Sequence, residues 1–380
     1  QEIDHPSKQG GQTNLATSGS GDLYSSWLEY PNDSLAVLKY SVLQDHQWSV
    51  PTTIAQGVDW FVNWADFPSL AHTGDFMLAH WLQYSGDGAY EYDVNMSLSS
   101  DGIYWSPPLI PHRDGVKAEH GFVSLLSDAQ DQILAIWLDG RYTAAEDGTE
   151  SHGHEHEGSM TLRSARIGEN GSLSDEQELD DRVCDCCQTG AVMTPSGPVV
   201  VYRNRTEDEI RDIYLVRKVQ GKWQEPYPVH NDGWQIGGCP VNGPAIAASD
   251  DIVAVVWYTM ADDQPSVKLA ISEDDGANFS DPILISAKDP LGRVDLEFVN
   301  ERFVLVSWIE QMEQDKASIM SQLINIDNRD RVTFPLKEIS SERRSGFPRL
   351  AKAGQKIYLS WTEITGENSR IKTAEVLLSP

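Results

Sequence analysis

Four cysteines occur in the chain, and three of them are packed into Val183-Cys184-Asp185-Cys186-Cys187-Gln188-Thr189. The fourth, Cys239, lies in Gly237-Gly238-Cys239-Pro240-Val241-Asn242-Gly243-Pro244. Thiolates are soft ligands suited to Cu(I) or Zn(II), and an even cysteine count in an exported chain equally suits disulfides. Read as a strand, the cluster puts Cys184 and Cys186 on one face and Cys187 on the other. A bridge from Cys186 or Cys187 to Cys239 would staple two parts of the fold, but the remaining pair would then close a strained, very tight loop. Three readings follow: disulfides, a copper or zinc site that Asp185 or His120 could complete, and free thiols. His152, His154 and His156 alternate within a polar stretch from Thr143 to Gly158 and form a weaker metal-binding set. The plain alternative for that stretch is a solvated loop.

A second group of residues suits acid–base chemistry. The densest run is His112-Arg113-Asp114-Gly115, followed by Glu119-His120-Gly121. With Asp66, Asp139, Arg141, Arg203, Arg205 and Arg349, the residues Glu119 and His120 sit beside expected strand ends. Carboxylates and arginines around a funnel can serve as general acid and base on a glycosidic bond. The same residues equally make a solvated rim of ion pairs.

These residues need elements that bring them together, and the chain supplies a repeat. An apolar strand ending in an aromatic and a polar tail recurs seven times: Ser26-Trp27-Leu28-Glu29, His80-Trp81-Leu82-Gln83, Ile136-Trp137-Leu138-Asp139, Val201-Tyr202-Arg203-Asn204, Val256-Trp257-Tyr258, Ser307-Trp308-Ile309-Glu310 and Ser360-Trp361-Thr362-Glu363. Each has an earlier strand such as Gly243-Pro244-Ala245-Ile246-Ala247, and a later alternating one such as Ser266-Val267-Lys268-Leu269-Ala270-Ile271. A fourth, more polar strand follows. Four short antiparallel strands per repeat, with no convincing helix, predict an all-β fold of β-propeller blades, seven of them, with six as the alternative. The last repeat stops after its third strand. Residues 1–12 are expected to be a flexible N-terminus able to supply its fourth, and residues 13–380 a single propeller domain. Loops before the innermost strand and after the second strand then share one face, which places both groups of residues at the channel mouth.

The bulk properties narrow the partners. The chain has 380 residues, with 29 lysines and arginines against 58 acidic residues, a net charge of −29. That balance argues against nucleic acid, whose phosphates need a basic face. No apolar run is long enough to span a membrane. The polar opening Gln1-Glu2-Ile3-Asp4-His5 fits an exported chain, periplasmic or extracellular, whose signal peptide has been removed. A monomer is expected.

Two turns carry a family signal. Ser272-Glu273-Asp274-Asp275-Gly276-Ala277-Asn278-Phe279 matches the Asp-box, Ser-x-Asp-x-Gly-x-x-aromatic, and Ser99-Ser100-Asp101-Gly102-Ile103-Tyr104-Trp105 is a shortened version. With them the chain resembles the sialidase-like, Asp-box (BNR-repeat) β-propellers, in which the aromatic is expected to tuck under the next blade. The Cys-Asp-Cys-Cys-Gln-Thr stretch, Arg203-Asn204-Arg205 with Glu209 to Ile213, and Gly238-Cys239-Pro240-Val241-Asn242-Gly243-Pro244 also resemble a bacterial group often labelled exo-α-sialidase by similarity. The resemblance implies three arginines clamping a carboxylate, a Tyr–Glu nucleophile pair and an Asp acid. The chain departs from it at once, because its first arginine is Arg113, in the second repeat. Substitute clamps are available from Arg141, Arg203, Arg205, Arg211, Arg293 and Arg349, with Tyr202 or Tyr258 as nucleophile and Asp66 as acid. The expected function is a glycan-directed protein, either exo-glycosidase-like or lectin-like. The competing reading is a metal-binding or redox propeller using the four cysteines, and the third is a scaffold for another protein.

Overall fold

The computed structural model describes residues 1–128, 131–144 and 158–378. The strands form seven antiparallel sheets in chain order, which makes the chain a seven-bladed β-propeller and removes the six-bladed alternative. Blade 1 runs through Gly10–Thr17, Leu23–Asn32 and Leu35–Gln44, with an outer edge shared by Gln47–Trp48 and Thr52–Gly57. Blade 2 has Leu70–His72, Met77–Tyr84 and Tyr92–Ser99, and its outer edge is reduced to a bridge between Met96 and Leu109. Blade 3 is His120–Asp128, Gln132–Asp139, Thr161–Ile167 and Leu173–Asp180. Blade 4 is Gly190–Thr194, Gly197–Arg203 and Ile213–Val219, edged by Lys222–Trp223 and Tyr227–Pro228. Blade 5 is Ala245–Ser249, Ile252–Thr259, Ser266–Ser272 and Ile283–Ser286, and blade 6 is Pro290–Asn300, Phe303–Gln311, Lys316–Asn325 and Arg331–Ser340. Blade 7 has Arg349–Ala353, Lys356–Thr365 and Asn368–Val376, and Glu2–Ile3 pairs with its last strand, Glu2 opposite Ala374 and Ile3 opposite Thr373.

The second strand of each blade reads as a near-continuous apolar run because both of its faces are covered by neighbouring blades. Its recurring aromatics, Trp27, Trp81, Trp137, Tyr202, Trp257, Trp308 and Trp361, are all buried. A buried indole needs an acceptor for its N–H, and in four blades the polar tail of the repeat supplies it, while Trp257 donates to Asp232 instead. Trp27 donates to Glu29 at 3.3 Å, Trp137 to Asp139 at 2.8 Å and Trp308 to Glu310 at 3.0 Å. Glu29, Asp139 and Glu310 are thus accounted for first as indole acceptors, whereas Glu363 pairs with Arg370. Between blades lie apolar clusters, such as Leu78, Tyr92 and Met96 of blade 2 against Ile133, Ala135 and Ile167 of blade 3. The last cluster joins Ile3, Leu15 and Leu23 to Ala351 and Tyr358, which closes the ring between blades 7 and 1.

Three innermost strands carry the same bulge, between Gly11 and Asn14, Gly121 and Ser124, and Gly292 and Asp295. At each bulge a non-glycine residue takes the left-handed region, Gln12 at φ 51°, Phe122 at φ 52° and Arg293 at φ 51°. Such a conformation is costly and needs an external hold. Asp66, in the connector into blade 2, accepts the Phe122 N–H at 2.9 Å, and Asn242, in the connector into blade 5, accepts the Arg293 N–H at 2.8 Å. A Cβ on Gly121 would collide with the Asp66 carboxylate, and one on Gly292 with the Asn242 carboxamide. Asp66 and Asn242 are therefore equivalent staples, each reaching from one blade to the bulge of the next. Asp295 does similar work at the blade 6–7 junction, accepting the Leu350 N–H at 2.7 Å.

The two Asp-box-like hairpins close through their own side chains. Asp274 accepts the Asn278 N–H at 2.8 Å, and Asp101 accepts those of Ile103 and Tyr104 at 2.8 and 2.9 Å. Their aromatics correct one expectation. Trp105 packs edge-on against Tyr40 of blade 1, and Phe279 joins the cluster that contains Val199, Val201 and Leu215 of blade 4. Each turn thus leans on the preceding blade, where Gly276 also faces Val199 and Leu215 and Gly102 faces Tyr40.

Burial pushes the Asp66 carboxyl up to about 7, against the opposing pull of the Phe122 N–H. The unfolded chain ionises near the ordinary value of 3.8, so Asp66 contributes stability below that pH and loses it as pH rises towards 7. Asp66→Asn keeps an acceptor for Phe122, so thermal melts are expected to show an intact fold whose advantage over the parent grows between pH 4 and 7. Asp66→Ala strands the Phe122 N–H and is expected to cost about 1–3 kcal/mol.

Candidate functional site

The connectors into the blades meet over the channel on one face. Trp64 and Phe67, from the connector into blade 2, pack on Phe347, from the connector into blade 7, with ring centroids 5.6 and 5.8 Å away. Cys186 and Val241, from the connectors into blades 4 and 5, join the same apolar cluster. Beneath this plug is a cavity of about 330 Å³ lined by innermost strands of the ring, with Asp66, Asp295, Gln188 and Arg349 among its polar groups. Arg349 lies 3.3 Å from Asp295 and over the Phe67 ring. Arg293 is buried over Trp64 at 4.9 Å, and the exposed Arg343 lies over the same ring at 5.9 Å. Arg293 donates to the Glu342 and Gly346 carbonyls and to the Ser345 hydroxyl. Among the described residues no carboxylate lies within ion-pair distance of Arg293 or Arg343. Burial and the neighbouring Arg343 charge bring Arg293 down to about 10.

Between blades 2 and 3 the run singled out in the sequence folds into a compact ion network. The His112 and His120 rings stack in parallel, 3.7 Å between centroids and 3° between planes. Asp93 approaches one end of the pair, 3.5 Å from His120 Nδ1 and 3.9 Å from His112 Nε2. Asp114 approaches the other, 3.4 Å from His120 Nε2 and 3.5 Å from His112 Nδ1. Asp139 lies 3.7 Å from His120 and holds Arg141 through two bonds of 2.7 Å. Arg141 also reaches Asp114 at 3.2 Å. Burial works against a charged His120, but the Asp114 and Asp93 carboxylates outweigh it and push the ring up to about 9. Burial likewise opposes ionisation of Asp114, yet the two imidazoles hold it well below the ordinary carboxylate range. Asp93, His112 and His120, and separately Asp114, His120 and Asp139, have the spacing of metal ligands. His120 and Asp139 are 0% exposed, so substrate does not reach them directly in this conformation.

Glu119 occupies the space between this network and the cysteines. It is half-buried and accepts a 2.7 Å bond from the Tyr92 hydroxyl. Burial is the main cause that pushes its carboxyl up to about 8, and the Asp185 and Asp66 charges add to it. A protonated carboxyl near neutral pH with a phenol beside it is a competent proton donor. On the blade 4 side, Arg205 holds Glu209 and reaches Asp185 at 3.2 Å, while Arg211 shares Glu209 at 2.8 Å. Arg203 is 1% exposed, and its hydrogen bonds go to the carbonyls of Asn242, Arg211 and Tyr258.

The cysteine stretch is not a strand. Its chain turns at Asp185 and Cys186, so the expected alternation of faces does not hold and the sulfurs converge. Cys184 Sγ lies 3.9 Å from Cys186 Sγ and 3.7 Å from Cys187 Sγ, and all four cysteines are free thiols.

Of the residues expected from sequence, His120, Asp139 and Arg141 come together in the ion network. Glu119 stands beside them, and Arg205 stands with the cysteines. Asp66 and Arg349 meet at the cavity, where Asp66 is a staple. His152, His154 and His156 lie outside the described residues. Tyr92, Asp93, Trp64 and Arg343 carry much of the geometry and were not among the expected site residues, whereas His112 and Asp114 belong to the run singled out in the sequence. Tyr92 and Asp93 begin a third strand, whose start faces the same side as the end of the second strand. Applying that hairpin rule to third strands would have found them.

Because the His120 charge is favoured by folding, its contribution is complete below about pH 6.5 and is lost as pH rises through about 9. His120→Gln leaves buried carboxylates facing one another. Denaturant unfolding is expected to show a loss of about 3–5 kcal/mol at pH 6, shrinking towards pH 10.

No protein-family model matches the chain, and no curated protein matches it. Solved structures do. A polysaccharide lyase, an ulvan lyase bound to -[GlcA(1-4)Rha3S]-, is 9% identical with a TM-score of 0.59, the match covering 98% of this chain and 95% of that one. A protein of unknown function from Dyadobacter fermentans is 12% identical with a TM-score of 0.53, covering 98% and 96%. A Hadza microbial sialidase is 13% identical with a TM-score of 0.51, covering 91% and 74%. At these identities the likeness shows a shared β-propeller fold.

Proposed function

We propose that this chain is an exported, sialidase-like propeller of the Asp-box kind, directed at an acidic glycan that it receives at the channel mouth. The observation that carries the reading is the pair Arg293 and Arg343 over Trp64, with Arg349 over Phe67 beside them. In a chain of net charge −29 these guanidinium groups gather on one face, and two of them have no carboxylate partner among the described residues. Two neighbouring cations without a counter-charge favour an anion. An aromatic platform beside them offers a surface for the apolar face of a sugar ring. A uronic or sialic acid, or a sulfated sugar, combines both features. The ulvan lyase and the sialidase of the same fold are named for acidic-sugar substrates, which agrees with this choice.

Glu119, with Tyr92, is the group best suited to donate a proton if the bound sugar is also cleaved. Arg203 is not part of this proposal, since its donors are already committed to main-chain carbonyls.

The test is a glycan array read with the parent protein and with Arg343→Ala, followed by chromogenic glycosides of any sugar retained. Acidic glycans are expected to bind and neutral ones to be left behind, with binding weakening as salt rises. Arg343→Ala is expected to bind at least tenfold more weakly at an unchanged Tm, because its side chain is exposed. Indifference of the array to acidic sugars, or a variant that binds as the parent does, removes the proposal.

A further inference from the structure

The thiol cluster has no part in the glycan reading, yet its geometry is highly constrained. The sulfurs of Cys184, Cys186 and Cys187 lie within 4.8 Å of one another, with Cys184 to Cys186 at 3.9 Å and Cys184 to Cys187 at 3.7 Å. A disulfide needs about 2.05 Å. Four sulfurs around zinc at about 2.3 Å stand about 3.8 Å apart along each tetrahedral edge. The two separations from Cys184 match that edge.

A fourth sulfur is at hand. Cys239, on the connector into blade 5, is exposed and interacts with the Cys186 thiol, but it stands outside the group of three sulfurs and must move inward to join them. The two glycines before it, Gly237 and Gly238, have open space on their side-chain sides and lend the loop backbone freedom. We propose that Cys184, Cys186, Cys187 and Cys239 form a tetrathiolate zinc site that clamps the connector into blade 4 to the connector into blade 5.

The surroundings offer positive charge to such a centre, although Arg211 also pairs with Glu209. Zinc with four thiolates carries two negative charges. Two buried guanidinium groups stand beside it, Arg211 at 0% and Arg203 at 1% exposure. Arg211 Nη1 donates to Cys184 Sγ at 3.2 Å. Arg203 bonds only to main-chain carbonyls and acts electrostatically on Cys187. A buried cation without a carboxylate needs a counter-charge, and thiolates held by a metal provide a permanent one. The supporting bonds resemble an outer shell that orients ligands. The Cys184 N–H donates to the Arg203 carbonyl at 2.9 Å, and Arg205 restrains Asp185 at the tip of the turn. Three thiolates alone would suit Cu(I). The fourth thiol and the tetrahedral spacing select zinc. A closed four-sulfur shell leaves no open coordination position, so the ion fixes the mouth loops and takes no part in turnover.

The test uses the full chain folded with zinc present and passed through gel filtration. Metal analysis is expected to find roughly one zinc per chain, with the four thiols unreactive to Ellman's reagent until a chelator is added. Replacement by Co(II) is expected to give the thiolate charge-transfer and visible bands of a tetrahedral sulfur site. Cys239→Ser changes an exposed position and is expected to keep the circular dichroism of the parent while losing zinc to a competing chelator at least tenfold more readily. Zinc-free protein with four freely reactive thiols overturns the proposal, as does a mass that shows disulfides or an ion that proves to be copper. Zinc held as tightly by Cys239→Ser as by the parent also overturns it.

Discussion

Apolar contact between neighbouring blades holds every loop at the mouth in place. Hydrogen bonds fix strands within a blade, but nothing in a single meander positions one blade against the next. That task falls to clusters such as Leu305, Ile309 and Ile319 of blade 6 against Leu359 and Trp361 of blade 7. Fully burying one such side chain contributes about 1.5–3 kcal/mol, and the contribution is made only when the partner blade is present. Closure through Ile3, Leu15 and Tyr358 leaves no blade with an uncovered face. The mouth is the place where the rigid ring fixes long connectors at both of their ends.

That rigidity explains the strain at the bulges. A left-handed Phe122 or Arg293 is tolerable because Asp66 and Asn242, anchored on an adjacent blade, cannot withdraw. The same bulges turn polar residues towards the cavity and the axis. Polar groups there have two classes of duty. Asp66, Asp295 and Arg203 spend their hydrogen bonds on the main chain and hold the ring together. Arg343, Arg349 and Glu119 keep some accessible surface and unsatisfied chemistry. Exposure separates the two classes better than residue type does.

Burial and nearby cations compete at the buried carboxylates. Beside the two imidazoles Asp114 is driven down. Burial prevails at Asp66 and Glu119, which have no cation close by, and at Asp295 in spite of Arg349. These environments lie side by side between blades 2 and 4. One sector of the mouth therefore holds a protonated carboxyl, a charged imidazole and a cluster of thiols within a short span of the ring.

The repeated aromatic strands, the polar residue two places beyond each, and the absence of helical periodicity made the seven-bladed fold legible in the sequence, because burial on both faces imposes its own composition on a strand. The cysteine motifs and the His112 to His120 run were equally visible as concentrations of chemistry. Their arrangement was not. Cys184, Cys186 and Cys187 look like alternating strand residues until the turn at Asp185 gathers their sulfurs. Asp139 and Glu29 look like mouth carboxylates until the indoles of Trp137 and Trp27 claim them. Arg203 looks like a clamp until the carbonyls of Asn242 and Tyr258 surround it. Local sequence determines which residues a strand or turn presents, through periodicity and backbone preference. Which of them remain free is decided by contacts between blades far apart in the chain, and those distances exist only in the closed ring.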